Sequence, residues 1–225
     1  MQSVKINATE VLIEKNKRAR HLKLRINKAG MPLVTIPWWV SYRAGAQFAR
    51  ENLDWILENQ AKHPASRRFE DGLKIHLLGQ ALTISHQPQA QRGVWIEGDR
   101  LCVSGASDSL HRRVRDFVKK QAYAFIQAKS LELARQIERR PIRITLRDTS
   151  SRWGSCSAQG HLSFCWKLAL APDYVLEYII AHEVAHLKEM NHGPDFWKIT
   201  TTLTTHQADA HIWLKKNGSS LQAWE

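Results

Sequence analysis

The sequence is short of cysteine, glycine and proline, and it lacks a long apolar run. Its three cysteines, Cys102, Cys156 and Cys165, cannot form a framework of paired disulfides, which agrees with a reducing compartment. Eleven glycines and seven prolines in 225 residues exclude a collagen-like chain. The most apolar stretch, residues 175–181, is far shorter than the roughly 20 residues of a membrane-spanning helix, so we expect no membrane association. The first residues, MQSVKINATEVLIEK, lack an apolar signal segment, and we therefore expect a cytoplasmic protein.

Charge is distributed unevenly along the chain. The formal net charge is +12, but residues 150–225 hold six Lys or Arg against seven Asp or Glu, so the positive excess lies entirely in residues 1–149. Such a basic field attracts polyanions, including nucleic acids and nucleotides, although a merely solvated basic surface has the same composition. The densest cluster is the predicted anion-binding segment, which consists of Lys17, Arg18, Arg20, Lys23 and Arg25.

Hydrophobic periodicity predicts an α+β protein with two parts. The first forty residues alternate polar and apolar side chains as strands do, and Ser41 is a candidate N-cap for a helix that continues through Leu57. A long helix with an apolar stripe is predicted to begin near Ser107. We predict a strand-rich basic N-terminal lobe over residues 1–106 and a compact domain over residues 107–225, unless the two form one continuous domain. No internal repeat is evident in the sequence.

The C-terminal part contains residues with the spacing of a metal site. His182 and His186 are four residues apart on a predicted helix, so both imidazoles project from one face and can share one zinc ion. Glu183 lies between them, where a carboxylate can act as a general base. Hydrolytic zinc sites use three protein ligands, and His192 is the third candidate because Gly193-Pro194 predicts that the chain turns back there.

Several neighbouring residues have alternative interpretations. The ligand spacing matches that of metzincins, but Glu189 stands where metzincins carry glycine and no Met-turn follows, so the chain is not a metzincin. The Glu189 carboxylate either holds a ligand histidine or is exposed to solvent. We assign Cys156 and Cys165 to packing, because three histidines suffice and thiolates favour closed structural sites. His206 or His211 could cover the site.

Four segments of the C-terminal part form a specific combination: SRWGSCS at 151–157, LALAP at 168–172, HEVAHLKEMNH at 182–192, and Phe196-Trp197. Together they resemble the YgjP-like family of zinc metallopeptidases. The resemblance implies a zincin-like hydrolase domain with an HExxH active-site helix, a zinc ion on His182, His186 and His192, and Glu183 as general base. It also implies that residues 152–156 lie near the metal. Arg152 and Ser155 are therefore candidate substrate-binding residues, although Arg152 could instead form a structural ion pair.

Three functions fit these observations. The first is a metallopeptidase that uses zinc, or another divalent metal, to cleave a peptide or protein. The second is a metal-dependent phosphohydrolase of the nucleoside triphosphate pyrophosphatase type, in which the basic lobe holds the phosphates. The third is a non-enzymatic nucleic-acid-binding protein, which Glu183 disfavours because a purely structural metal site needs no general base. We favour the peptidase because the motif is that of a peptidase.

Overall fold

The computed structural model describes residues 1–27, 30–62, 66–149 and 152–225. Within these residues the chain is a mixed α+β protein with six α-helices and three sheets, which confirms the predicted fold class at that level. No helix in the described part combines the length and the apolar character needed to cross a bilayer. Two compact units are present, Met1–Arg67 and Arg68–Glu225. Ser151, which opens the SRWGSCS segment, lies outside the described residues.

The first unit consists of four strands followed by two helices. In chain order these are β1 (Gln2–Ile6), β2 (Thr9–Asn16), β3 (Lys23–Ile26), β4 (Pro32–Pro37), α1 (Tyr42–Glu51) and α2 (Leu53–Lys62). The strand order is β1-β2-β4-β3, with β2 and β4 parallel and the outer pairs antiparallel. Helix α1 covers the buried side chains of the two central strands closely, because a Cβ atom at Gly45 would lie 3.0 Å from Ile13 Cγ2 and 3.1 Å from Ile36 Cγ2.

Helix α1 begins where the sequence predicts, but the helix is interrupted. The Ser41 hydroxyl accepts a hydrogen bond from the Ala44 N–H at 3.1 Å, as an N-cap does. A single helix through Leu57 is wrong, because the chain breaks at Asn52 into α1 and α2. The Asn52 side-chain amide donates to the Phe48 carbonyl oxygen at 2.8 Å, and such local bonds compete with helix continuation.

The second unit contains seven strands and four helices within the described residues. In chain order these are β5 (Lys74–Leu77), β6 (Gln80–Gln87), β7 (Val94–Glu97), β8 (Arg100–Ser104), α3 (Leu110–Gln136), β9 (Arg143–Arg147), β10 (Gly154–Cys156), β11 (His161–Cys165), α4 (Asp173–Ala185), α5 (Pro194–Leu203) and α6 (Gln207–Gln222). One sheet has the order β5-β6-β8-β7 and the other β10-β11-β9. Helix α3 buries an apolar stripe that includes Leu110, Val114 and Val118, and helix α4 is buried along most of its length.

Strands β5 to β8 lie in the second unit. Ile75, Leu82 and Leu101 share one hydrophobic core with Val114 and Val118 of α3, so these strands and that helix form one compact body. The compact units therefore divide at Arg67. The predicted boundary of independently folding domains between residues 106 and 107 stays a prediction.

The two four-stranded sheets share one topology. Each consists of an antiparallel hairpin, a parallel central pair and a second antiparallel pair, and each is followed by a helix. The structure thus contains a repeated arrangement of strands that the sequence does not reveal. The arrangement depends on strand pairing and alternating burial, which many different residues can provide.

His111 predicts a specific pH dependence of stability. Its Nδ1 accepts a hydrogen bond from the Phe69 N–H at 3.0 Å, and its ring stacks on Phe69, which in turn stacks on Trp224. Burial, followed by Arg68 and Arg115, lowers the pKa of His111 below its usual 6.5. The folded chain favours the neutral imidazole. The contribution of His111 to the free energy of unfolding is therefore fully present above pH 6.5, and it decreases below that pH because the unfolded chain takes up a proton more readily than the folded chain does.

We expect His111→Gln to reduce this acid sensitivity, because the Gln amide oxygen can accept the Phe69 N–H without titrating. The measurement is the urea unfolding midpoint at pH 7.5 and pH 5.5, with zinc present throughout. The wild type should lose more stability than the variant between the two values. Parallel losses in both proteins would contradict the assignment.

Candidate metal centre

Helix α4 and the turn after it position three histidines. Pro172 precedes the helix and Asp173 lies in its first turn, where a carboxylate stabilises the helix dipole. His182 lies in the last turn and His186 is the C-cap, so the helix ends at the second histidine. The chain then turns back through His192 before Pro194 starts α5.

The three imidazoles converge. Their candidate ligand atoms all lie within 4.8 Å of one another. His182 Nε2 and His192 Nε2 are 3.2 Å apart. Two nitrogens about 2.05 Å from one zinc ion, at the tetrahedral angle, are about 3.3 Å apart, so this separation fits a zinc site. Within the described part of the chain, His182, His186 and His192 form the single group of His, Cys, Asp or Glu that meets this distance requirement.

The histidines differ in how the protein holds them. The His186 Nδ1–H donates to the Glu189 carbonyl oxygen at 3.0 Å, which fixes the tautomer and leaves Nε2 for a metal. The backbone of Glu189 therefore supports the ligand, while its carboxylate accepts the Asn191 N–H at 3.1 Å. His182 Nδ1 is buried and has no hydrogen-bond partner among the described residues.

An aromatic side chain packs against all three histidines. The ring of Phe196 in α5 is fully buried, and its centroid lies 5.0 Å from His182, 4.5 Å from His186 and 4.7 Å from His192. Trp197 lies beside it, 5.9 Å from His192 between ring centroids. The segment Phe196-Trp197 therefore packs directly against the three candidate ligands and restricts their rotation.

Burial favours the neutral form of His182 and His186, which is the form that binds a metal. It lowers the pKa of His182 to about 4, with further lowering by His186, His192 and His211. Burial is also the main cause that lowers the pKa of His186.

Glu183 is 6% exposed and points toward β10. Burial raises the pKa of its carboxyl group to about 7, and the Arg152 guanidinium opposes that shift. A Cβ atom at Gly154 would lie 2.5 Å from Glu183 Cγ and 2.6 Å from Oε1, so the carboxylate occupies space that only a glycine leaves open. A buried carboxyl group with a pKa near neutrality is suited to exchange a proton.

Arg152 and Ser155 line a groove of about 600 Å3. Its lining also includes Arg143 and Arg147, which share one face of β9 because side chains alternate along a strand. None of the described residues that line the groove is acidic, so its charge favours an anion or a polarised carbonyl group. Sequence reasoning missed Arg143 and Arg147, although two arginines four residues apart lie on the same face of any strand that contains both.

Two further residues lie close to the histidines. Tyr178 is buried one helical turn before His182, and its hydroxyl group is 2.8 Å from His211 Nε2 of α6. The ring centroids of Tyr178 and His182 are 5.9 Å apart. Sequence reasoning missed Tyr178, although its four-residue spacing from His182 was visible. His206 contacts Tyr174 instead, with ring centroids 5.9 Å apart.

The cysteines lie outside the histidine group. Cys102 and Cys165 are buried, and Cys156 is partly buried. Burial, followed by the charge of Glu183, raises the pKa of Cys156 to about 11, so its thiol stays protonated near neutrality. A protonated thiol is a poor metal ligand.

The predicted anion-binding segment lies in the first unit. Lys17, Arg18, Arg20, Lys23 and Arg25 are all exposed. Arg25 is 3.1 Å from Glu14 Oε1, so its charge is already paired. Within this segment, the four cations that remain available to a polyanion are Lys17, Arg18, Arg20 and Lys23.

One protein-family model matches most of the chain. The model of the YgjP-like metallopeptidase domain matches residues 20–217. The chain belongs to the YgjP-like metallopeptidase family. No curated protein and no solved structure matches the chain. Membership of the YgjP-like family supports a hydrolase that uses a divalent metal ion, with a peptide or protein as substrate, and the histidine group is where such an ion could bind.

Proposed function

We propose that the chain is a zinc-dependent metallopeptidase with a zincin-like second unit. His182, His186 and His192 hold the metal and Glu183 is the general base. The observation that carries this proposal is the convergence of three imidazoles whose candidate ligand atoms lie within 4.8 Å of one another, with the buried Glu183 next to His182 on the same helix. A structural zinc site would use a fourth protein ligand and would need no such carboxylate.

Zinc bound there would polarise the scissile carbonyl group and lower the pKa of a water molecule in the open position. Glu183 takes a proton from the attacking water and delivers it to the leaving nitrogen. The Glu189 carbonyl and the Phe196 ring hold the imidazoles in place during these steps.

Arg152 and Ser155 are the proposed substrate-binding residues. Both line the groove, and the Arg152 guanidinium is close enough to influence the Glu183 carboxyl group. Strand β10 is at the edge of its sheet, and an extended peptide can pair with such an edge through backbone hydrogen bonds. We propose that a peptide lies along β10 with its scissile bond beside Glu183. The cytoplasmic location stays a prediction from the sequence.

Removal of one ligand tests the metal site. We expect wild-type protein purified without chelator and equilibrated with zinc to retain one zinc ion per chain. His192→Ala should weaken zinc binding more than about 100-fold, beyond the 10–100-fold that loss of a supporting group causes. The control is His76→Ala, which removes an exposed histidine of β5. Zinc content and affinity are measured by elemental analysis and competition with a chelator, and equal affinity in all three proteins would refute the site.

A phosphohydrolase is the competing function, because the three groove arginines could hold phosphates. The zinc-loaded protein should therefore be given an unfolded protein and a panel of nucleoside triphosphates in parallel. Peptide cleavage that is lost in His192→Ala supports the proposal. Phosphate or pyrophosphate release that is lost in the same variant, without peptide cleavage, would replace it.

A further inference from the structure

Two tight turns lie side by side at one end of the sheet in the first unit. Strands β2 and β4 are parallel neighbours, and their last residues, Asn16 and Pro37, are in register. Each of these residues begins a turn: the Ala19 N–H donates to the Asn16 carbonyl oxygen at 3.3 Å, and the Val40 N–H donates to the Pro37 carbonyl oxygen at 3.1 Å. Neighbouring strands are about 4.8 Å apart, so the central residues of both turns form one surface.

This surface combines aromatic rings with cations. The central residues of one turn are Lys17 and Arg18, and those of the other are Trp38 and Trp39. The two indole rings are 6.0 Å apart and perpendicular. We call these four residues, together with Arg20, the tryptophan–cation surface.

The tryptophans contribute little to the packing of the fold. Trp38 is 60% exposed and Trp39 is 59% exposed, and neither belongs to the hydrophobic core of the first unit. Tight turns usually use Gly, Pro, Asn, Asp or Ser, because these residues suit the backbone angles. Two exposed tryptophans at the centre of a turn therefore require a reason other than folding.

The second four-stranded sheet provides an internal comparison. Its parallel strands β6 and β8 also end in register, at Gln87 and Ser104. The residues that follow are Pro88-Gln89 after β6 and Gly105-Ala106 after β8. The same topology thus forms without aromatic or basic residues at these positions. Folding alone does not account for the tryptophan–cation surface.

One turn of this surface is anchored through its backbone, and the sequence around both turns contains no acidic residue. The Lys15 Nζ donates to the Trp38 carbonyl oxygen at 3.0 Å and lies 5.3 Å from the centroid of the Tyr42 ring, so the turn is held through its backbone. Residues 15–50 contain nine Lys or Arg and no Asp or Glu. Glu14, the acidic residue before this stretch, is hydrogen-bonded to both Arg25 and Thr35.

We propose that the tryptophan–cation surface binds single-stranded nucleic acid. Unstacked bases pack on the two indole rings, while Lys17, Arg18 and Arg20 contact the phosphates. A ligand that offers phosphates alone would not use the indoles, and the bases of a duplex are already stacked on one another. This proposal goes beyond the peptidase and does not depend on it, because binding is measured without catalysis.

The test is binding of a fluorescently labelled single-stranded oligonucleotide, followed by anisotropy at several salt concentrations. We expect Trp38→Ala/Trp39→Ala to weaken binding at least about ten-fold without changing its salt dependence. We expect K17Q/R18Q to make the plot of log affinity against log salt shallower by about 1.4. The double Trp→Phe variant should keep most of the affinity, because it retains aromatic faces.

Matched controls separate this surface from general effects. K5Q/R50Q removes two exposed charges of the first unit that lie outside the two turns, and Trp55→Ala removes an exposed tryptophan of α2. Both should bind like the wild type, and a duplex of the same sequence should show no dependence on the tryptophans. The proposal is overturned if the wild type does not bind, if the controls weaken binding equally, or if phosphatidylserine vesicles show tryptophan-dependent binding and the oligonucleotide does not.

Discussion

Glu183→Gln is expected to lower kcat for peptide hydrolysis by roughly 10²–10⁴-fold, the usual contribution of a general base. The amide has nearly the same shape as the carboxyl group but cannot take a proton from water. Because the buried carboxylate is costly to desolvate, the variant should also be at least as stable as the wild type. Zinc content should remain at one per chain, since the three histidines are unchanged. The loss therefore belongs to proton transfer and not to metal binding.

The matched control for this variant is Glu177→Gln. Glu177 lies on the same helix and forms an ion pair with Lys129 at 4.0 Å, in which both side chains are partly exposed. Such a pair contributes little, so activity and stability should change only slightly. Peptide hydrolysis that persists in Glu183→Gln at more than about a tenth of the wild-type rate would exclude Glu183 as the general base. The same pair of variants with nucleoside triphosphates tests the competing phosphohydrolase.

The candidate metal ligands could be predicted from the sequence because local geometry determines most of their arrangement. Residues four apart on a helix share a face, so His182 and His186 had to be neighbours once the helix was predicted. His192 was predictable for a different reason. Gly193 and Pro194 disfavour one continuous helix through this region, so the chain can turn back and bring the His192 imidazole toward the other two. The three-ligand chemistry of hydrolytic zinc then singled out that histidine.

The surroundings of the site could not be predicted in the same way, because they depend on tertiary packing. The carbonyl group that holds His186 comes from the Glu189 backbone, and a side-chain argument cannot reveal it. Arg143 and Arg147 join Arg152 only after β9 pairs with β11 in a particular register. The break between α1 and α2 was missed for a related reason, since the apolar spacing continues through Asn52 although the backbone does not.

Gly154→Ala should remove most of the peptidase activity, because the new methyl group displaces the Glu183 carboxylate. The zinc content should not change. The new Cβ would lie 2.5 Å from Glu183 Cγ and 2.8 Å from Cδ, whereas real Cβ contacts essentially never fall below 3.0 Å, so the carboxylate must move. A misplacement of about 1 Å can reduce a catalytic rate by about 100-fold. The overpacking should also reduce the free energy of unfolding by about 1–3 kcal/mol. The measurements are kcat for peptide cleavage, zinc content and urea unfolding.

Gly218→Ala is the matched control for this substitution. Its Cβ would make an ordinary 3.5 Å contact with Trp153 Cζ2, and Gly218 lies within α6. We expect unchanged activity and a gain of about 0.5–1 kcal/mol in stability, because alanine is the better helix residue.

The double variant Gly154→Ala/Glu183→Gln shows whether the glycine acts through the carboxylate. If it does, the double variant should be no less active than Glu183→Gln alone, because a carboxylate that is already absent cannot be displaced. Losses that multiply would mean that Gly154 matters for something else, such as the pairing of a substrate with the β10 edge. In that case Glu183 and β10 would be two independent parts of the site.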